Sequence, residues 1–134
     1  MDHHFFDSSA IVKNYIVETG TNWVKSIFNS AATTVIYAVS IAEVEVIPAF
    51  ARRLKGKTLT VNETTTASTQ FRYDFANDLR VIAVEPLLLN RAVGLAERYA
   101  LRGYDAVQLS AAIEAFGYIN ALKLRFVYFR FRRQ

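Results

Sequence analysis

The chain has 134 residues, of which 52% are hydrophobic and 21% are charged, and it contains no cysteine. This length predicts one domain with a hydrophobic core of its own, and the lack of cysteine excludes disulfides and thiolate metal sites. No apolar run approaches the roughly 18 residues of a membrane span, and no signal peptide is recognisable, so we expect a cytoplasmic protein without a membrane partner.

The formal net charge of +4 comes from one end of the chain. Residues 123–134 contain five basic residues and no acid, whereas residues 1–122 contain 11 basic and 12 acidic residues. The body of the protein is therefore close to neutral. Its composition does not predict a surface that coats nucleic acid.

Strand and helix signals alternate along the chain. In order, they are a strand at 3–6, helices at 8–15 and 20–28, a strand at 35–39, a helix at 41–54, a Thr-rich loop leading into a helix at 65–78, a strand at 81–84, helices at 86–101 and 105–116, and a strand at 126–129. Such alternation predicts right-handed crossovers and a parallel sheet. The predicted fold class is α/β, with three layers.

Three acids occupy similar places in this pattern. Asp7 directly follows the first strand, Glu43 lies near the start of the helix after the second strand, and Asp105 opens a later helix. Because the carboxyl ends of parallel strands share one edge of a sheet, we expect these carboxylates to meet in one cleft. Carboxylates and waters are the ligands that Mg²⁺ and Mn²⁺ prefer. Such an ion can support phosphodiester hydrolysis.

Each acid also has a purely structural interpretation. Asp7 is a good N-cap residue, the run from Ser40 to Glu43 matches the capping-box pattern, and Asp105 would be favoured by the positive end of its helix dipole. Glu45 lies on a different helix face from Glu43 and is predicted to face solvent or a partner.

Three segments resemble the motifs of PIN-domain nucleases, above all the VapC-type toxins of bacterial type II toxin–antitoxin systems. They are FFDSSAIVK (5–13), VSIAEV (39–44) and LRGYDAVQL (101–109). The resemblance extends to about Phe129. It implies a single three-layer α/β/α PIN-like domain over residues 1–134, with a parallel sheet of about four strands.

The same resemblance implies an endoribonuclease that depends on Mg²⁺ or Mn²⁺. Asp7, Glu43 and Asp105 would be the catalytic, metal-binding acids, and Ser9 and Ser40 would be small polar residues that contact substrate beside them. The implied partners are an RNA substrate, a cognate antitoxin protein and a second copy of the chain. We expect the homodimer to bury apolar surface from residues 41–54 and 65–78.

One position departs from the family pattern. The family has a further acid directly after the last predicted strand, where this chain has Arg130 and ends four residues later. We therefore expect an altered or truncated C-terminus and an impaired metal site, with Arg130 available to contact substrate phosphate.

Two other functions are weighed against the nuclease. One is a PIN-like binding module for antitoxin or RNA that cleaves poorly. The other is a phosphate-transfer domain with an aspartyl nucleophile, although Asp7-Ser8-Ser9 lacks the Asp-x-Asp pattern of one such family. The absence of a G-x-x-x-x-G-K run argues against a nucleotide-driven enzyme.

Overall fold

The computed structural model describes residues 1–30, 32–121 and 126–129. Its sheet has four strands in the order β3-β2-β1-β4, and all neighbouring strands are parallel. The strands are β1 (Asp2–Phe6), β2 (Thr34–Val39), β3 (Arg80–Ile82) and β4 (Phe126–Phe129). The predicted α/β class with a parallel sheet is confirmed. The altered C-terminus predicted for residues 130–134, including Arg130, lies outside the described residues.

Six helices connect the strands in the described part of the chain. They are α1 (Ser8–Val12), α2 (Thr21–Phe28), α3 (Ala42–Lys55), α4 (Val61–Asn77), α5 (Pro86–Tyr99) and α6 (Gly103–Ala121). No helix among the described residues is long and apolar enough to cross a membrane.

Helix α4 begins at Val61 rather than near residue 65, because a capping box defines its start. The Glu63 amide donates to Thr60 Oγ1 at 3.1 Å, and the Thr60 amide donates to Glu63 Oε1 at 2.9 Å. This reciprocal pair satisfies two backbone donors at the helix end. The prediction of a Thr-rich loop here was wrong in its last residues.

Two hydrophobic clusters lie on opposite faces of the sheet. Phe5 and Phe6 are neighbours in β1, both fully buried, and they belong to different clusters because successive strand residues point to opposite faces. The Phe6 side includes Phe50 of α3 and Phe71 of α4. The Phe5 side includes residues of α5 and α6, among them Leu88. The sheet therefore has helices on both faces, which makes the fold three-layered.

Buried polar residues are tied to specific partners. Asp74 of α4, 8% exposed, accepts hydrogen bonds from Tyr15 Oη at 2.7 Å and Gln70 Nε2 at 2.8 Å. Burial, and then the bond to Asp74, raises the pKa of Tyr15, so this phenol stays protonated and donates. His3 and His4 are buried in β1, as a strand position predicts. Burial lowers the pKa of His3, whose Nδ1 lies 3.1 Å from Tyr37 Oη.

Candidate active site

The carboxyl edge of the sheet brings together the N-terminal turns of three helices. Helix α1 follows β1 through Asp7, and α3 follows β2 after Ser40 and Ile41. Helix α6 is distant from both in sequence. Gln108, in the second turn of α6, donates a hydrogen bond from Nε2 to Ser8 Oγ of α1 at 2.8 Å. An acid lies at each of these helix starts, as the N-cap Asp7 before α1 and within the first turn of α3 and of α6.

Asp7 is the N-cap of α1 and is only 5% exposed. Its Oδ1 accepts the Ala10 amide at 3.1 Å and the Ser9 hydroxyl at 2.7 Å. The capping interpretation is therefore confirmed, and it fixes the orientation of the carboxylate at the end of β1. Capping does not remove Asp7 from a candidate site, because the same carboxylate stands at the sheet edge. Ser9 lies beside it as an orienting donor.

The capping box predicted for Ser40 and Glu43 does not form. Helix α3 begins after Ile41 without a side-chain cap. The Ser40 amide donates instead to Ile82 O at 2.8 Å, and Ser40 Oγ accepts the Val84 amide at 3.3 Å. Ser40 thus ties the end of β2 to the end of β3. Glu43 is half-buried in the first turn of α3 and is not engaged in capping.

Glu45 is only half-buried, but its carboxylate also contacts neighbouring helices, which the sequence did not predict. Its Oε1 accepts a hydrogen bond from Ser8 Oγ at 2.9 Å and another from Gln108 Nε2 at 2.9 Å. The physical reason is that α1 packs against the side of α3 that carries Glu45. The carboxylate is therefore bonded to two neighbouring helices, although the residue is only half-buried.

We call these three side chains the Ser8–Glu45–Gln108 network. Ser8 follows Asp7 in the chain, and Gln108 lies three residues after Asp105, so on the same side of α6. The network therefore joins the segments that carry the candidate acids. Sequence reasoning missed both Glu45 and Gln108, although the one-turn spacing from Asp105 to Gln108 was a usable signal.

Gln108 is 3% exposed, and its Oε1 is a buried acceptor with no hydrogen-bond partner among the described residues. The orientation of its amide follows from charge, because only the NH₂ group can donate to the carboxylate of Glu45. An amide that meets a carboxylate through its donors makes a charge-assisted bond, which is stronger than a neutral one.

Asp105 lies in the first turn of α6 and is half-buried. Among residues 1–30, 32–121 and 126–129, no group of three or more His, Asp or Glu side chains is arranged to hold a metal ion. The donor chemistry of the acids at the sheet edge suits a hard divalent cation, but their described side chains do not converge on one point. The metal site predicted from Asp7, Glu43 and Asp105 stays a prediction.

We expect Gln108→Met to destabilise the fold by about 1–3 kcal/mol, because it leaves the half-buried Glu45 carboxylate without one of its donors. Urea unfolding of the variant and the parent protein measures the difference. Gln70→Met is a matched control, since it also removes an amide donor from a carboxylate, that of Asp74. An unchanged midpoint for Gln108→Met alone would show that the network contributes nothing to stability.

Comparison with solved structures finds a similar fold in the crystal structure of Mycobacterium tuberculosis VapC20, described as a Sarcin-Ricin loop cleaving toxin. The TM-score is 0.63, the match covers 95% of this chain and 89% of that chain, and the sequences are 14% identical. Neither a family model nor a curated protein matches the chain. At this identity the similarity concerns the fold. The chain has a PIN-like α/β fold similar to that of VapC20.

Proposed function

We propose that the protein is a metal-dependent endoribonuclease toxin that hydrolyses RNA phosphodiester bonds at the carboxyl edge of its sheet. The Ser8–Glu45–Gln108 network is the observation that carries this proposal, because it joins three helix starts that each carry an acid. The fold similarity to VapC20, which is described as a Sarcin-Ricin loop cleaving toxin, supports the same reaction class.

Helix α3 offers two glutamates for the site. The family resemblance assigns the role to Glu43, whereas the contacts favour Glu45, which shares hydrogen bonds with the neighbours of Asp7 and Asp105. We propose Asp7, Glu45 and Asp105 as the acids that would hold Mg²⁺ or Mn²⁺, with Glu43 as the alternative from α3. When bound there, such an ion supplies activation of water and stabilisation of the charge that develops on the phosphodiester.

We propose different roles for Ser9, Ser40 and Arg130. Ser9 orients Asp7 through its 2.7 Å hydrogen bond, and Ser40 supports the strand ends through its contacts to Ile82 and Val84. Their predicted contacts with substrate stay proposals, as does a phosphate contact by Arg130.

The alternative function is a PIN-like module that binds antitoxin or RNA but cleaves poorly. Its support is the finding that no three acidic or histidine side chains gather into a metal site within the described residues. The two functions differ in one observable, which is cleavage in the presence of a divalent cation.

Incubation of the purified protein with single-stranded RNA and either Mg²⁺ or Mn²⁺ tests the proposal. We expect endonucleolytic products that disappear when EDTA removes the cation, because hydrolysis needs the ion. RNA that stays intact with both cations, in a preparation that still binds RNA, would support the binding module instead. Cleavage that continues in EDTA would exclude the metal-dependent mechanism.

A homodimer and a cognate antitoxin complete the proposed assembly. Val44 of α3 is 60% exposed and Tyr73 of α4 is 59% exposed, so both segments of the expected dimer surface present apolar area to solvent. Light scattering at micromolar concentration measures self-association. A monomer throughout this range would contradict the dimer.

A further inference from the structure

The turn between α5 and α6 is short and held by backbone hydrogen bonds. Ala100 ends α5 in the left-handed conformation, with φ 52° and ψ 40°, and its amide donates to Ala96 O. The Leu101 amide also reaches Ala96 O, at 3.2 Å, and the Ala106 amide reaches Arg102 O at 2.9 Å as α6 begins. We call residues 98–104 the α5–α6 corner. Its backbone is defined on both sides of the turn.

The four large side chains of this corner that are exposed alternate between cations and aromatic rings in sequence order: Arg98, Tyr99, Arg102 and Tyr104. Tyr99 is 55% exposed and Tyr104 is 52% exposed, and the guanidinium groups are also on the surface. Arg98 Cζ lies 5.3 Å from the centre of the Tyr99 ring, within the range of a cation–π contact.

The two arginines of the corner form no ion pairs with the described residues. Among all the residues that the structure describes, the ion pairs are those of Glu18 with Lys13 and with Arg53. Arg98 and Arg102 therefore present their positive charge to solvent. The corner therefore carries two unpaired guanidinium groups beside two exposed rings, and one acid flanks it on each side, Glu97 and Asp105.

A single exposed tyrosine is ordinary and needs no explanation. The corner differs because its rings and cations lie within seven consecutive residues, at most roughly 21 Å of backbone, and because the next residue is Asp105 of the candidate site. Aromatic rings stack on unpaired bases, and guanidinium groups bind phosphate oxygens. Tyrosine and arginine are also enriched at protein interfaces, so the oligomeric state is measured beside RNA affinity to distinguish the two occupants.

We propose that the α5–α6 corner binds a single-stranded segment of RNA next to the cleavage site, an inference that rests on the proposed nuclease function. Tyr99 and Tyr104 stack on bases, and Arg98 and Arg102 bind the phosphates between them. Because Tyr104 and Asp105 are adjacent, a base stacked on Tyr104 belongs to a nucleotide beside the one whose phosphodiester is hydrolysed. The corner thereby selects unpaired over double-stranded RNA.

Fluorescence anisotropy with a labelled single-stranded RNA in EDTA tests this binding without cleavage. We expect Tyr104→Ala to weaken binding by roughly 5- to 150-fold, the range for loss of one stacked base, and Tyr104→Phe to bind like the parent protein. Arg102→Ala should lower the slope of log affinity against log salt by about 0.7, the value for one phosphate contact on a single strand.

Matched controls come from exposed residues away from the corner. Tyr118 of α6 is 64% exposed, and Arg80 is exposed on β3, outside the expected dimer segments. We expect Tyr118→Ala and Arg80→Ala to leave RNA affinity and salt slope unchanged. Equal losses in the corner and control variants would reveal a diffuse electrostatic attraction and overturn the proposal.

Three other results would also overturn it. The first is unchanged RNA affinity in Tyr104→Ala and Arg102→Ala. The second is a loss of affinity in Tyr104→Phe as large as that in Tyr104→Ala. The third is a change in oligomeric state at unchanged RNA affinity, which would assign the corner to a protein interface. Binding and cleavage are measured separately. RNA bound through the corner but not cleaved with Mg²⁺ or Mn²⁺ would reject the nuclease and leave the corner as an RNA-binding surface without a cleavage site. RNA cleavage by a protein whose RNA affinity does not change in the corner variants would keep the nuclease and reject the inference.

Discussion

Asp7→Asn is expected to reduce metal-dependent RNA cleavage by at least about 100-fold while leaving the fold intact. Asn is as good an N-cap as Asp, and its Oδ1 can still accept the Ala10 amide and the Ser9 hydroxyl that Asp7 accepts. It lacks the negative charge that a hard cation requires. Changes in residues that only support a metal ligand already cost about 10- to 100-fold, so loss of a ligand itself should cost at least the upper end of that range.

Cleavage rates with Mg²⁺ and Mn²⁺, together with urea unfolding, separate these two contributions. Asp78→Asn, at the exposed C-cap of α4, serves as a control that removes one carboxylate elsewhere. Asp7→Asn activity within a few-fold of the parent protein would remove Asp7 from the site and leave it as a cap alone.

The second large effect concerns the two glutamates of α3. We expect Glu45→Gln to lower cleavage by at least about 100-fold, as for a lost ligand, because Glu45 contacts both Ser8 and Gln108 between the turns that carry Asp7 and Asp105. Glu43→Gln is expected to change it by less than about threefold. Both substitutions keep the size of the side chain, so the comparison isolates the charge.

The opposite pattern of activity losses in these two variants would reverse the assignment. A large loss in Glu43→Gln with near-normal activity in Glu45→Gln would return the α3 role to Glu43, as the family resemblance predicts. Unfolding measurements on both variants are needed, because Glu45 is a hydrogen-bonded member of the Ser8–Glu45–Gln108 network and its loss of charge weakens the two bonds that it accepts. Equal small effects in both variants would mean that α3 supplies no acid to the reaction.

Local patterns in the chain were sufficient to predict much of the architecture. The apolar runs at 35–39 and 126–129 predicted strands that the structure contains as β2 and β4 within a parallel sheet. Asp7 at a strand end predicted the N-cap that forms. Local sequence was also sufficient to predict the start of α4, because Thr60 and Glu63 have capping-box spacing. The predicted start near residue 65 was wrong because this local signal was overlooked, not because tertiary contacts moved the helix start.

The sequence by itself determined the strand and helix alternation and the acids at the helix starts, because hydrophobic period and capping chemistry act over a few residues. It could not decide between Glu43 and Glu45, which lie two residues and about 200° apart on one helix turn. Only the packing of α3 against α1 and the contact with Gln108 of α6 decided that Glu45 is bonded to both neighbouring helices. The hydrogen-bond partners of Ser40 also depended on a distant strand, β3. The amide and hydroxyl of Ser40 are bonded to Ile82 and Val84 rather than to the helix that follows it. These contacts join residues 37 to 63 positions apart, where no local rule applies.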